Sequence, residues 1–299
     1  MEKIYYSIII PHKNIPQLLK RCIDSIPLRN DLEIIVIDDN SNEEIVSQDD
    51  FPGLKRKNTI VIFSKEGKGA GYCRNIGLSK AKGKWIIFAD ADDFFTEEFN
   101  LILNEYKESN VDIIYFNASC VNSDTLQIAH RNMALNNFFK IRDISNFKYS
   151  CYAPWGKIIK RELQVKNNIY FSETMAANDV IFSIKIGHSA SDIILDERSG
   201  YCVTVRDNSL ERIHSTKVIN DRIKISLEAN VFFKTHKINK ECDFFYRFLL
   251  LLLSKANFKS FIVNLNLCHS YGYSYIYLFK KMYKRIIYNI INKNTNIYK

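Results

Sequence analysis

The chain has 299 residues, 46% of them hydrophobic and 25% charged, a globular composition that is too apolar for a disordered protein. Lysine and arginine outnumber aspartate and glutamate by 42 to 33, yet residues 244–299 hold nine basic residues and no acid. The body before them is balanced, which excludes a protein that grips nucleic acid over its whole surface.

This length predicts one large domain or two small ones. The seven cysteines (Cys22, Cys73, Cys120, Cys151, Cys202, Cys242 and Cys268) include no C-x-x-C. Neither a zinc site nor a disulfide framework is expected, and a reducing, cytoplasmic compartment fits. The first apolar run stops at Pro11-His12, too short for a signal-peptide core. The run at 244–254 contains Arg247 and falls short of the roughly 20 residues that cross a bilayer. No membrane-spanning segment is expected.

In chain order, runs rich in Ile and Val at 7–10, 33–37, 59–63 and 85–89 predict strands buried on both faces, as in a parallel sheet covered by helices. Between them, 16–25 reads as a helix capped by Asn14, with Leu18, Leu19, Cys22, Ile23 and Ile26 on one side. A second helix is expected over 71–81, ended by Gly83. The order β-α-β-α-β predicts an α/β fold with an open, mainly parallel sheet flanked by helices. Strand signals fade near 218, so 1–217 is expected to form the sheet domain and 218–299 a helical C-terminal region. No internal repeat is visible.

The acids fall after strands: Asp38 and Asp39 end EIIVIDD, and Asp90, Asp92 and Asp93 end WIIFADADD. Loops at the carboxyl ends of parallel strands line the ligand crevice, so both clusters are expected in one cleft. A single Asp there would merely start a turn. Five crowded carboxylates repel unless a cation joins them, and oxygen ligands favour Mg²⁺ or Mn²⁺ shared with substrate phosphates. A glycine-rich stretch (Gly67, Gly69, Gly71) then leads to Arg74-Asn75 and delivers a cation near the same edge.

Together, SIIIPHKN, IIVIDDNSN, GAGYCRNIGLSKAKGKWIIFADADD, PWGKIIKREL and AANDVIF resemble the inverting family 2 glycosyltransferases of the GT-A fold, of the bacterial polysaccharide-biosynthesis type. The resemblance implies a UDP-sugar donor, with backbone at Pro11 along the base and Asp39, beside Asp38, on the uracil. It implies further that Arg74 assists the nucleotide, that Asp90 lies at the ribose and metal, and that Asp92 holds Mn²⁺ or Mg²⁺. His12-Lys13 depart from the family pattern. Asp179 maps to the acidic motif that supplies the general base, although Asn178 stands where Glu is commoner. By position alone, Asp179 reads equally as a helix-start acid. His214 is a candidate third metal ligand, and Trp155 either stacks on an acceptor sugar or belongs to the core.

The resemblance implies transfer of a hexosyl group to a glycan or lipid-linked oligosaccharide in capsule, O-antigen or lipooligosaccharide synthesis. In the tail, Phe279, Met282, Ile286 and Ile290 follow helical spacing while Lys281, Lys284 and Arg285 share another side. That pattern suits either an anionic membrane surface at the inner face of the cell membrane or a terminal helix packed on the body. The rival readings are a catalytically silent carbohydrate-binding relative and a nucleic-acid-binding protein using the basic tail. The second leaves both acidic clusters unexplained, so no nucleic-acid partner is expected.

Overall fold

The computed structural model describes residues 3–129, 134–206, 215–255 and 257–291. They form two compact units, one of Met1–Glu173 with Phe182–Asp207, the other of Thr174–Ile181 with Asn208–Lys299.

The first unit follows the order β1 (Tyr6–His12), α1 (Pro16–Ser25), β2 (Leu32–Asp39), β3 (Thr59–Ser64), α2 (Ala70–Lys80), β4 (Trp85–Phe88), β5 (Phe94–Phe95) and α3 (Glu98–Tyr106). It continues with β6 (Ile113–Asn122), α4 (Ala134–Ile141), α5 (Ile144–Ser150), β7 (Lys157–Lys160), α6 (Arg161–Lys166), α7 (Val180–Ser189) and β8 (Ile193–Val205). One eight-stranded sheet results, in the order β3-β2-β1-β4-β7-β6-β8-β5. Pairs β3–β2, β2–β1, β1–β4 and β6–β8 are parallel, whereas β7 runs antiparallel to both neighbours and β5 antiparallel to β8.

The four runs read from the sequence are β1 to β4. Every residue of β1, β2 and β4 is buried, as expected of strands covered on both faces, while β3 is half-buried at the sheet edge. Gly77 lets α2 lie close on β1, because a Cβ there would stand 2.3 Å from Ile9 Cγ2. Two expected helix ends differ. Asn14 is not the cap of α1: Ile15 holds that position without a side-chain bond, and Pro16 at N1 starts the helix with its φ already fixed. Asn14 instead takes a positive φ of 58° and its side-chain oxygen accepts from Asn42 N at 2.8 Å. At the end of α2 the cap is Ala81, and Gly83 donates its N–H to Ser7 Oγ at 2.8 Å.

The second unit contains α8 (Thr216–Thr235), α9 (Phe244–Ser254), α10 (Phe258–Ser270) and α11 (Tyr275–Ile291). Its core joins Ile219, Ile223 and Leu227 to Leu249, Leu252 and Leu265. Helix α11 meets that core through Leu278 and Met282. The tail stripe is therefore split, with Met282 inward and Phe279 and Ile286 exposed; the side chain of Ile290 lies outside the described part. Among the described residues no helix is long and apolar enough to cross a membrane. All seven cysteines are buried thiols outside any disulfide.

Candidate functional site

Parallel pairing brings the ends of β1, β2 and β4 to one sheet edge. Pro11 pairs with Ile37 and His12 with Asp38, while Ile9 pairs with Phe88 two residues before Asp90. Pro11, Asp38, Asp39 and the 90–93 loop thus share the carboxyl edge that both clusters were expected to line.

The two acids of β2 do different things. Asp38 Oδ1 accepts from His12 Nδ1 at 2.7 Å and from Ser41 Oγ at 2.6 Å, and its Oδ2 from Ser41 N at 2.9 Å. Ile15 N donates to His12 Nε2 at 3.1 Å, which assigns the ring proton to Nδ1. Burial works to raise the Asp38 pKa, but the bonds from His12 and Ser41 outweigh it and hold the carboxyl below its usual value. Asp39 Oδ2 accepts from Gly69 N at 3.0 Å, where a φ of 92° turns that amide inward. Lys13 Nζ donates to the Asp39 carbonyl at 2.9 Å and stands 3.6 Å from Oδ2. Asp39 Oδ1 is buried and has no N–H or O–H donor. Burial, the adjacent Asp39 charge and a hydrogen bond to that carboxylate push the Cys73 thiol, a weak donor, up to about 12.

The Arg74-Asn75 pair divides its labour likewise. Arg74, buried on α2, donates through Nη2 to Asp90 Oδ1 at 2.6 Å and lies over the Phe171 ring at 5.3 Å. Asn75 clamps the Phe171 backbone in both directions, at 3.0 and 2.9 Å.

The 90–93 loop is held from β8, which sequence reading missed. Tyr201 OH accepts from Asp90 N at 2.9 Å and donates to Asp93 Oδ2 at 3.0 Å. Thr204 donates its N–H to Asp93 Oδ1 at 2.7 Å and its hydroxyl to the Asp92 carbonyl at 2.8 Å, and Arg21 Nη2 reaches that carbonyl at 2.6 Å. Arg206 then meets the Asp92 side chain. Asp93 is therefore a buried latch. Burial, reinforced by Asp90 and Asp92, raises its pKa well above the carboxylate norm. Burial and the Asp90 charge also raise Asp92, against the pull of Arg206.

No group of three or more His, Cys, Asp or Glu side chains that could hold a metal occurs among the described residues. Asp90 and Asp92 offer hard carboxylate oxygens crowded beside Asp93, and among the described residues Arg74 pairs with the first and Arg206 with the second. That donor set fits Mg²⁺ or Mn²⁺ completed by substrate phosphates.

Of the other expected residues, Asp179 is half-buried in the second unit, just before α7. The loop ahead of it is tied down by Thr174 Oγ1 to Ala176 O at 2.8 Å and by Met175 N to Asp221 Oδ2 at 2.9 Å. Trp155 stacks on Tyr201 with centroids 5.6 Å apart and joins the core as a partly buried ring. His214 lies outside the described residues.

Against known proteins, the glycosyl transferase family 2 profile matches residues 7–165. The uncharacterized glycosyltransferase EpsJ of Bacillus subtilis is 24% identical over 244 residues, covering 77% of this chain and 70% of EpsJ. S. aureus TarS 1–349 in complex with UDP-GlcNAc superposes with a TM-score of 0.64 at 21% identity, covering 84% of this chain and 72% of that fragment. The mannosyltransferase PcManGT of Pyrobaculum calidifontis, solved with GDP-Man and Mn²⁺, gives 0.55 at 16% identity, covering 97% and 81%. A profile spanning more than half the chain, on a sheet whose acids gather at one edge, identifies a glycosyltransferase of GT-A fold that belongs to glycosyl transferase family 2.

Proposed function

We propose that the protein is a metal-dependent inverting glycosyltransferase that moves a hexosyl group from a UDP-sugar onto a glycan or lipid-linked oligosaccharide acceptor. The observation that carries the donor reading is the pair of opposite fates on β2. Asp38 is saturated by His12 and Ser41, while Asp39 keeps a buried oxygen without an N–H or O–H donor. An uncompensated buried carboxylate oxygen is costly, and the imino N–H of uracil supplies the bond it lacks.

In this reading Pro11 backbone borders the base, and Asp38 fixes the turn that aims Asp39. Arg74 balances Asp90, which takes the ribose side. Asp90 and Asp92 would hold Mn²⁺ or Mg²⁺, which neutralises charge on the departing diphosphate. Asp179 accepts the acceptor hydroxyl's proton as its oxygen bonds to the anomeric carbon opposite UDP, and that single displacement inverts the configuration. UDP-GlcNAc in TarS and Mn²⁺ with GDP-Man in PcManGT lend support by fold likeness. The setting proposed is capsule, O-antigen or lipooligosaccharide synthesis at the inner face of the cell membrane, which the basic tail supports.

The test is a thermal-shift series with UDP-sugars, GDP-mannose and UDP, each with Mn²⁺, Mg²⁺ or chelator, because a ligand of the folded state raises its midpoint by mass action. Stabilisation by a UDP-sugar that chelator removes is the expected result. Equal shifts with and without chelator would end the metal assignment, and a response to GDP-mannose alone would end the uridine one.

A further inference from the structure

Helix α11 presents three different faces. Leu278 and Met282 are buried in the helical core. Lys281 pairs with Glu241 at 3.2 Å and Arg285 with Asp243 at 4.0 Å, so these two cations belong to the packing of the helix. The third face is apolar and open: Ile276 is 70% exposed, Phe279 50% and Tyr283 65%, with Ile286 and Ile287 exposed beyond them. At 100° per residue these five side chains fall within an arc about 100° wide, and exposed Lys280 and Lys284 border it. The paired and bordering cations look alike in sequence and are separated only by the structure.

Charge selects the occupant. Residues 244–299 carry nine basic residues and no acid, and a face of aliphatic and aromatic side chains edged by lysines suits an anionic surface with a hydrocarbon interior. A two-fold copy of the same face would set two lysine-edged faces together with no acid on α11 to offset them, a repulsive arrangement. We infer that the Ile276–Phe279–Tyr283–Ile287 face of α11 docks on an anionic lipid bilayer, with Lys280 and Lys284 at the headgroups. This rests on the membrane-side part of the reading above and is independent of the transfer chemistry.

The experiment is co-sedimentation of the full chain with vesicles of phosphatidylcholine alone or with about a third phosphatidylglycerol. Wild type is expected to bind the anionic vesicles and to lose binding in about 0.5 M salt, where surface charges are screened. Phe279→Asp with Tyr283→Asp should weaken binding about tenfold or more, and Lys280→Glu with Lys284→Glu should remove the preference for phosphatidylglycerol. Leu28→Asp, at an 85% exposed leucine of the first unit, should change nothing. Melting temperature and UDP-sugar binding should match wild type in every variant, so loss of docking is distinguishable from failure of the transferase reading. Absence of wild-type binding, or equal binding by wild type and both double variants, overturns the inference. So does a wild-type dimer that Phe279→Asp with Tyr283→Asp converts to monomer while vesicle binding persists.

Discussion

Arg206 Nε and Nη2 both stand 3.0 Å from Asp92 Oδ2, across 114 residues of sequence. In the proposed metal site the ion pair occupies an oxygen that a diphosphate-bound cation would need, so guanidinium and metal would compete for it. Partly exposed pairs of this kind contribute about 0.2–1 kcal/mol. Arg206→Ala is therefore expected to tighten Mn²⁺ binding to the nucleotide-free protein up to about fivefold, read by titration calorimetry. Unchanged or weaker Mn²⁺ binding would show that Arg206 does not compete.

The division of work on β2 predicts two distinct phenotypes. Asp39→Asn replaces one acceptor oxygen and removes the charge, so UDP affinity should drop about tenfold or more while the melting temperature hardly moves. His12→Ala leaves Asp38 buried without its ring partner and should instead lower stability by roughly 1–3 kcal/mol. The measurements are UDP calorimetry and thermal melts on both variants. The same loss of both properties in each would erase the distinction.

General-base catalysis contributes typically ~10²–10⁴-fold. Asp179→Asn should cut sugar transfer by about that factor, leave UDP-sugar affinity near normal, and spare reaction with azide, a nucleophile that carries no proton to remove. Donor affinity, transfer and azide turnover measured on one variant decide the matter: joint loss of donor binding makes Asp179 a donor-site or folding residue.

A pH effect lies away from the site. The hydrogen bond from Arg29, aided by Lys107, holds the Asp31 carboxyl down at about 2. A depressed carboxylate stabilises the fold above its unfolded pKa near 3.9, and that contribution disappears as pH falls through the folded value. Discounted for solvent exposure, it amounts to about 1 kcal/mol. Asp31→Asn should thus melt several degrees below wild type at pH 7, with the gap narrowing from about pH 5 downward. A gap that stays constant from pH 7 to pH 3.5 would contradict the linkage.

The nucleotide-side half of the fold was legible because its signals are local. The runs that became β1, β2 and β4 are mostly apolar and buried at every residue, as strands covered on both faces are, and acids follow β2 and β4 at once. What stayed hidden depends on long-range pairing. Tyr201, Thr204 and Arg206 sit in a β-branched and aromatic run that favours a strand, but nothing local says that it brackets residues 90–93. The buried Asp93 and the paired Lys281 were indistinguishable in sequence from the half-buried Asp92 and the exposed Lys284 for the same reason. Helix spacing placed Phe279 with Met282, yet α11 is fixed by Leu278 and Met282, a narrower seam than the apolar stripe.

The bracket from β8 also sets an order in time. During synthesis the acids of residues 90–93 emerge more than a hundred residues ahead of Tyr201, Thr204 and Arg206, and β6 waits from Ile113 to Ile193 for its parallel partner. Until β8 leaves the ribosome, the nascent chain holds a crowded acidic loop without its latch and an unpaired strand edge, a state prone to misassembly. A chain interrupted where the family profile ends, at residue 165, would own every acid of that sheet edge and still lack the strand that shapes it.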